Sequence, residues 1–252
     1  EKIESVLMYE KNRVTLCVST QVGCAVDCKF CATAKMGFIK NLTAGEIIDQ
    51  YLIINNSIDK EITNIVFMGM GEPFLNYQQV INAAMLFNHR DGINLSSQRI
   101  TISTVGIIPK IKQYSEEGHK YKLAISLNSN HQKQRVQIMP ISKTHSINDL
   151  IKAVWHHYKK TKRLVTFEYV LMENVNDSIA DAERLINLIR DLPCKVNVIP
   201  YNEIDGPFKR PSEEIINKFV NQINNSNFIV TVRWSKGTDI NSGCGQLAVL
   251  ES

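Results

Sequence analysis

Seven short runs rich in apolar and β-branched residues recur along the chain, and a helical pattern fills each gap between them. That alternation restricts the fold more than any other feature of the sequence. The runs lie at 14–22, 64–68, 99–104, 122–127, 164–171, 195–200 and 228–232. Helical patterns lie around 44–55, 76–88, 107–117, 147–160, 178–191 and 212–224. Strands separated by helices pair in parallel through right-handed crossovers. The expected fold is therefore α/β, a partial (β/α)6 barrel with its site at the carboxyl ends of the strands. Local signals agree. Thr43 and Glu46 form a T-x-x-E capping box, Asn176 and Asp177 offer caps before the fifth helix, and Pro211-Ser212 opens the sixth. A chain of 252 residues suits one large domain, 1–252. No composition shift marks a boundary, and the asparagine-rich stretch 224–227 is a short loop.

The chemistry concentrates first in a cysteine triplet. Cys24, Cys28 and Cys31 are spaced C-x3-C-x2-C, with the aromatic Phe30 just before the last. A structural zinc site wants four protein ligands, usually as two cysteine pairs or a pair plus histidines. Here no second pair exists, and the nearest downstream histidine is His89. Three thiolates on one loop instead suit a [4Fe–4S] cluster whose fourth iron stays open to a small molecule. The alternatives are a zinc knuckle or buried structural cysteines. The spacing is that of the radical S-adenosylmethionine (SAM) enzymes, and it implies a barrel of the radical SAM type.

Strand ends carry a second layer. Met68-Gly69-Met70-Gly71-Glu72-Pro73 follows the second run. Glycine there lets backbone approach a ligand, and Glu72 offers an acceptor to a charged amine. Read alone, glycine after a strand is a turn. Beside the triplet, Gly71 and Glu72 become candidates for the SAM aminocarboxylate. Ser103, Ser126, Leu127, Asn128 and Asn202 also end strands and are candidates for contacts to SAM; each is otherwise a strand-end cap.

Three further cysteines remain. Cys244 lies between Gly243 and Gly245 in the tail Asp239-Ile240-Asn241-Ser242-Gly243-Cys244-Gly245-Gln246-Leu247, on backbone expected to be mobile. Cys17 precedes the triplet on a strand, with core packing as its plain role. Cys194 follows Pro193 and reads as structural. Six cysteines with three clustered fit a reducing compartment, so the cytoplasm is expected. The net charge of +4 permits an RNA partner without demanding one. No apolar run is long enough to span a bilayer, and no signal peptide opens the sequence.

The chain resembles the bacterial radical SAM dual-specificity RNA methyltransferases, which methylate C2 of adenine in 23S ribosomal RNA and in transfer RNA. The resemblance runs nearly end to end, through LCVSTQVGCAVDCKFCATAKMGF, NLTAGEI, GMGEPFLN, STVGIIP, VTFEYVLMENVND, VNVIPYN and DINSGCGQLA. A related branch methylates adenine C8 and shares most of these segments; GMGEP and GCAVDC look closer to the C2 branch. A non-catalytic iron–sulfur RNA-binding protein is the other class, and it would need no such combination of cysteines.

The family chemistry gives these residues roles. Adenine C2 is electrophilic and cannot attack a sulfonium methyl. The resemblance implies that Cys244 takes a methyl from one SAM, and that a second SAM yields a 5′-deoxyadenosyl radical at the cluster. That radical abstracts hydrogen from the methylated Cys244, and the methylene radical adds to C2. Glu4 matches the family's base for the C2 proton. Cys17 matches the thiol that attacks Cys244, forms a disulfide and frees the product. The base must be unstacked, which folded RNA permits. The resemblance also implies two SAM per turnover, an electron donor such as flavodoxin or ferredoxin, no membrane, and a monomer. Two departures stand out. Asn128 occupies a position where the family usually has His. Family members also carry a small helical domain before the residue matching Glu4, which this chain is expected to lack.

Overall fold

A computed structural model describes residues 1–234 and 243–248. Asp239, Ile240, Asn241 and Ser242 of the tail motif lie outside the described residues. The strands are β1 (Val6–Glu10), β2 (Arg13–Cys17), β3 (Gln21–Gly23), β4 (Phe38–Asn41), β5 (Asn64–Phe67), β6 (Ile100–Thr104), β7 (Lys122–Ser126), β8 (Val165–Leu171), β9 (Cys194–Pro200) and β10 (Ile229–Val232). The helices are α1 (Ala32–Lys35), α2 (Ala44–Asn55), α3 (Tyr77–Asn88), α4 (Ile108–Glu116), α5 (Gln132–Ile138), α6 (Ile147–Thr161), α7 (Ile179–Ile189) and α8 (Glu213–Asn224). One sheet runs β1-β2-β5-β6-β7-β8-β9-β10, parallel throughout except for the antiparallel β1–β2 pair. Six β/α crossovers link β2 to β10, as the alternation predicts. The sheet curls into a half-barrel. Arg233, just past β10, reaches the Met8 sulfur on β1 at 3.2 Å, so the two edges face each other across the strand ends.

The helices form where their apolar stripes match the sheet. α8 buries Ile216, Phe219 and Ile223, one turn apart or nearly so, and opens with Glu213 and Glu214 at its positive end. Tyr169 of β8 stacks on Phe219 with ring centroids 5.5 Å apart. β8 is buried along almost its whole length because helices cover one face and the barrel interior the other. The Thr43–Glu46 capping box forms as expected.

Some local expectations are corrected. The run 14–22 is two strands: the chain breaks at Val18–Thr20, where Ser19 and Thr20 bond to the Gly69–Met70 loop, and then re-enters a separate hairpin, β3–β4. The cap of α7 is Ser178, in a reciprocal box with Asp181, rather than Asn176 or Asp177. Asn176 is instead occupied in the barrel mouth. β1, β4 and α5 carry no apolar periodicity long enough to predict them. Among the described residues no helix is long and apolar enough to cross a membrane.

Candidate active site

The cysteine loop follows β3 across the mouth of the barrel. Asp27 adopts φ 60°, which turns the chain sharply between Cys24 and Cys28. Backbone bonds then fix it: the Cys24 amide donates to Gly37 O at 2.8 Å, and the Lys29 amide donates to Ile138 O, at the end of α5, at 2.9 Å. Phe30 packs into a small apolar cluster with Ile138, Met139, Val170, Met172, Ile199 and Tyr201, against which Cys28 and Cys31 rest. All three cysteines therefore line one cavity.

The donor set fits an iron–sulfur cluster. Burial pushes the Cys24 thiol up to about 12 and Cys28 well above its ordinary value. Such thiols become thiolates when a metal supplies positive charge. Among the described residues, no three His, Cys, Asp or Glu side chains are set to hold a single metal ion. A cubane spreads its thiolates more widely than one tetrahedral ion does.

The strand-end candidates divide. Ser103, Ser126, Asn128, Gly71 and Glu72 all border this cavity. Leu127 does not; its side chain is fully buried in the core, and its amide and carbonyl bond Glu168 O and Arg135 Nε. Gly71 has φ 98°, and a Cβ there would lie 2.5 Å from Gln21 Cβ, so packing on the 19–21 segment requires glycine at this point of the cavity wall. Glu72 is buried, accepting from the Phe74 amide at 2.9 Å and the Val105 amide at 2.8 Å. Burial pushes its carboxyl up to about 7, against hydrogen bonds from Thr104, Val105 and Phe74. Its carboxylate thus already locks the β5 and β6 loops together. Asn128 sits at φ 55°, where asparagine is tolerated. Its Oδ1 accepts from the Val170 amide at 2.9 Å, and its carbonyl accepts from Asn176 Nδ2 at 2.7 Å.

Asn202 stands outside the cavity lining and holds the Cys244 turn. Its Nδ2 donates to Cys244 O at 3.0 Å. The turn is pinned further by Ala32 N to Gly245 O at 2.7 Å, Thr33 Oγ1 to Leu247 O at 2.6 Å, and Gln246 Nε2 to Glu203 O at 2.9 Å. A Cβ on Gly243 would sit 2.8 Å from Asn202 Nδ2 and 2.6 Å from Gln246 Oε1, so glycine permits close docking.

This docking places Cys244 between two cavities. It borders the cysteine-lined one and a second, smaller one lined also by Cys17, Met8, Met68, Arg233 and Trp234. Cys244 is exposed because it faces both spaces, yet the protein around its sulfur raises the thiol pKa; Arg233 opposes that rise. Cys17 ends β2, and burial pushes its thiol up to about 12. Both are free thiols. Glu4 borders neither cavity. Its carbonyl accepts from Ser19 Oγ at 2.6 Å, and its Oε2 is buried with no hydrogen-bond partner among the described residues. Cys194 is buried at the start of β9.

Sequence reasoning missed Glu168, Arg233, Asn176 and Arg135. A glutamate inside the apolar run VTFEYVL and an arginine directly after the last strand were the available signals. Glu168 and Arg233 both line the larger cavity.

Comparison with known proteins agrees with this geometry. Residues 18–189 match the radical SAM superfamily model. The chain is 44% identical over 254 residues to a probable dual-specificity RNA methyltransferase RlmN of Dictyoglomus turgidum, covering 99% of this chain and 73% of that protein.

The chain belongs to the radical SAM superfamily, in its dual-specificity RNA methyltransferase family.

A Clostridium botulinum relative of the same name is 46% identical over 246 residues, covering 97% of this chain and 71% of the relative. The crystal structure of a radical SAM methyltransferase from Sphaerobacter thermophilus superposes with a TM-score of 0.94 at 44% identity, over 97% of this chain and 73% of that one. The superfamily's cofactors are a [4Fe–4S] cluster and SAM, and the cysteine-lined cavity of this radical SAM chain is where its residues fit them.

Proposed function

We propose that this chain methylates C2 of adenine in 23S ribosomal RNA and transfer RNA, with Cys244 as the methyl carrier. One observation carries the reading: Cys244 borders both the cysteine-lined cavity and the cavity that holds Cys17. Cys24, Cys28 and Cys31 would hold the cluster, and SAM would lie along Gly71, Ser103, Ser126 and Asn128. When bound, the cluster and SAM supply one-electron chemistry and the methyl group.

The chain's own residues do the rest. The pinned turn presents the Cys244 sulfur to the larger cavity, where a methyl is collected. The second cavity is walled by Val6, Met8, Leu247 and Trp234, apolar surface that suits an unstacked base. Cys17 waits in that cavity as the thiol that attacks the Cys244 sulfur and releases product through a transient disulfide. Glu4 is the base for the C2 proton that the family resemblance implies; its Oε2 is buried without a partner among the described residues, and reaching the adenine from outside both cavities requires the site to rearrange when RNA binds. Residues 1–252 act as one catalytic domain, a cytoplasmic monomer reduced by a flavodoxin or ferredoxin.

Nucleoside mass spectrometry tests the reading. The anaerobically reconstituted chain is incubated with SAM, a reductant and 23S ribosomal RNA or transfer RNA. 2-Methyladenosine is the expected product. 8-Methyladenosine would assign the chain to the C8 branch, and SAM cleavage with unmodified RNA would overturn the function.

A further inference from the structure

We propose that Arg233 is the positioning residue whose guanidinium holds the thiolates of Cys17 and Cys244 in place across the junction of the two cavities. This rests on the reading above that both thiols react. Arg233 is half-buried and lines both cavities, and of the cavity residues it shares that position with Met68, Cys244 and Leu247. Its backbone continues the β10 ladder, with its amide donating to Val198 O at 2.8 Å. The root of the side chain is therefore fixed by the sheet.

What the guanidinium touches is informative. Among the described residues it donates only to thioether sulfurs, Met8 at 3.2 Å and Met68 at 3.8 Å. Thioethers are weak acceptors, so a strong fork of donors is held at the junction without a strong acceptor among the described residues. No carboxylate among the described residues pairs with it within salt-bridge distance. Nearby acids are already engaged: Glu10, on β1, pairs with Arg13 at 2.6 Å, and Glu168, on β8, accepts from Asn197 Nδ2 at 2.8 Å. Its charge is thus shared between Glu168 and the two thiols, with no carboxylate among the described residues in direct contact.

The electrostatics run in the same direction. Burial raises both thiol pKa values, and Arg233 is the charged group that lowers each of them. The opposing groups are Cys244 toward Cys17, and Glu168 and Cys31 toward Cys244. A thiol that loses its proton to solvent leaves an anion in a poorly solvated place, and a fixed cation stabilises that anion. One guanidinium on the cavity that both cysteines line serves each in turn, since a methylated Cys244 carries no charge to compete with Cys17.

Thiol alkylation tests this without turnover. The chain is produced under iron limitation, so that Cys244 is a free thiol, and is reconstituted anaerobically without SAM. Iodoacetamide modification of Cys17, Cys244 and Cys194 is then followed by peptide mass spectrometry from about pH 7 to about pH 10, because the thiolate is the reacting form. Arg233→Met is expected to slow Cys17 and Cys244 by about tenfold at fixed pH, the equivalent of one pKa unit, and to leave Cys194 unchanged. Arg233→Lys, which keeps the charge, restores most of the rate. Wild-type rates at Cys17 and Cys244 in Arg233→Met would overturn the proposal. So would a parallel change at Cys194, which marks a general structural effect. RNA methylation is not part of the readout, so a failed carrier role for Cys244 and a failed role for Arg233 are told apart.

Discussion

Replacing Asn202 separates two roles that a strand-end asparagine can play. In the structure its Nδ2 donates to the carbonyl of Cys244 at 3.0 Å, and the residue is 2% exposed. A buried neutral hydrogen bond of this kind contributes about 1–1.5 kcal/mol, so its loss shifts the docked turn by about tenfold against looser arrangements. Displacing the Cys244 sulfur by about 1 Å is enough to cost on the order of a hundredfold in transfer. Asn202→Ala and Asn202→Asp both remove the donor; Asp keeps the shape. Each is expected to lower methyl occupancy of Cys244 about tenfold and to leave SAM affinity within about twofold. Occupancy is read by peptide mass spectrometry and affinity by calorimetry on the reconstituted, anaerobic chain. A tenfold loss of SAM affinity with normal Cys244 methylation would refute the reasoning and return Asn202 to the SAM site.

Other expectations follow from the same contacts. Phe219→Ala removes a fully buried ring that stacks on Tyr169 and should cost about 3–5 kcal/mol in urea denaturation; a loss under about 1 kcal/mol would show that α8 is not part of the core. Cys17→Ala should stall after carbon–carbon bond formation and purify with RNA bound covalently through Cys244; RNA-free protein with normal turnover would make Cys17 a packing residue. Glu72 is held at about 7 by burial, above 4.5 for the exposed group. The stability it contributes is full below about pH 4.5 and is lost as pH rises through about 7. Urea midpoints of the cluster-free chain should fall over that window and fall less in Glu72→Gln; equal slopes would contradict the burial argument.

Regular periodicity was readable, and irregular docking was not. The β/α alternation gave the seven parallel strands and six crossovers, because each strand or helix stripe must bury an apolar surface. The cysteine loop was legible from spacing alone. By contrast, β1 and β4 are short and largely exposed, with little pattern to see. The contacts of Asn202 with Cys244, of Gly71 with Gln21 and of Gly243 with Asn202 join residues distant in sequence and are invisible to a local pattern. Asn176 reads as a helix cap in one dimension. In three it joins β8 to Asn128 through bonds of 2.7 Å to Asn128 O, Val170 O and the Met172 amide. Glu168 and Arg233 meet only after the sheet curls.

The central claim is that Cys244 carries the methyl group. Peptide mass spectrometry of the chain purified with its cluster tests it most directly. The Cys244 peptide is expected to be one methyl heavier than its sequence mass. The same peptide from Cys28→Ala, which loses a cluster ligand and with it the anchor for SAM, is expected at its sequence mass. An unmethylated Cys244 in active, cluster-loaded enzyme would contradict the account.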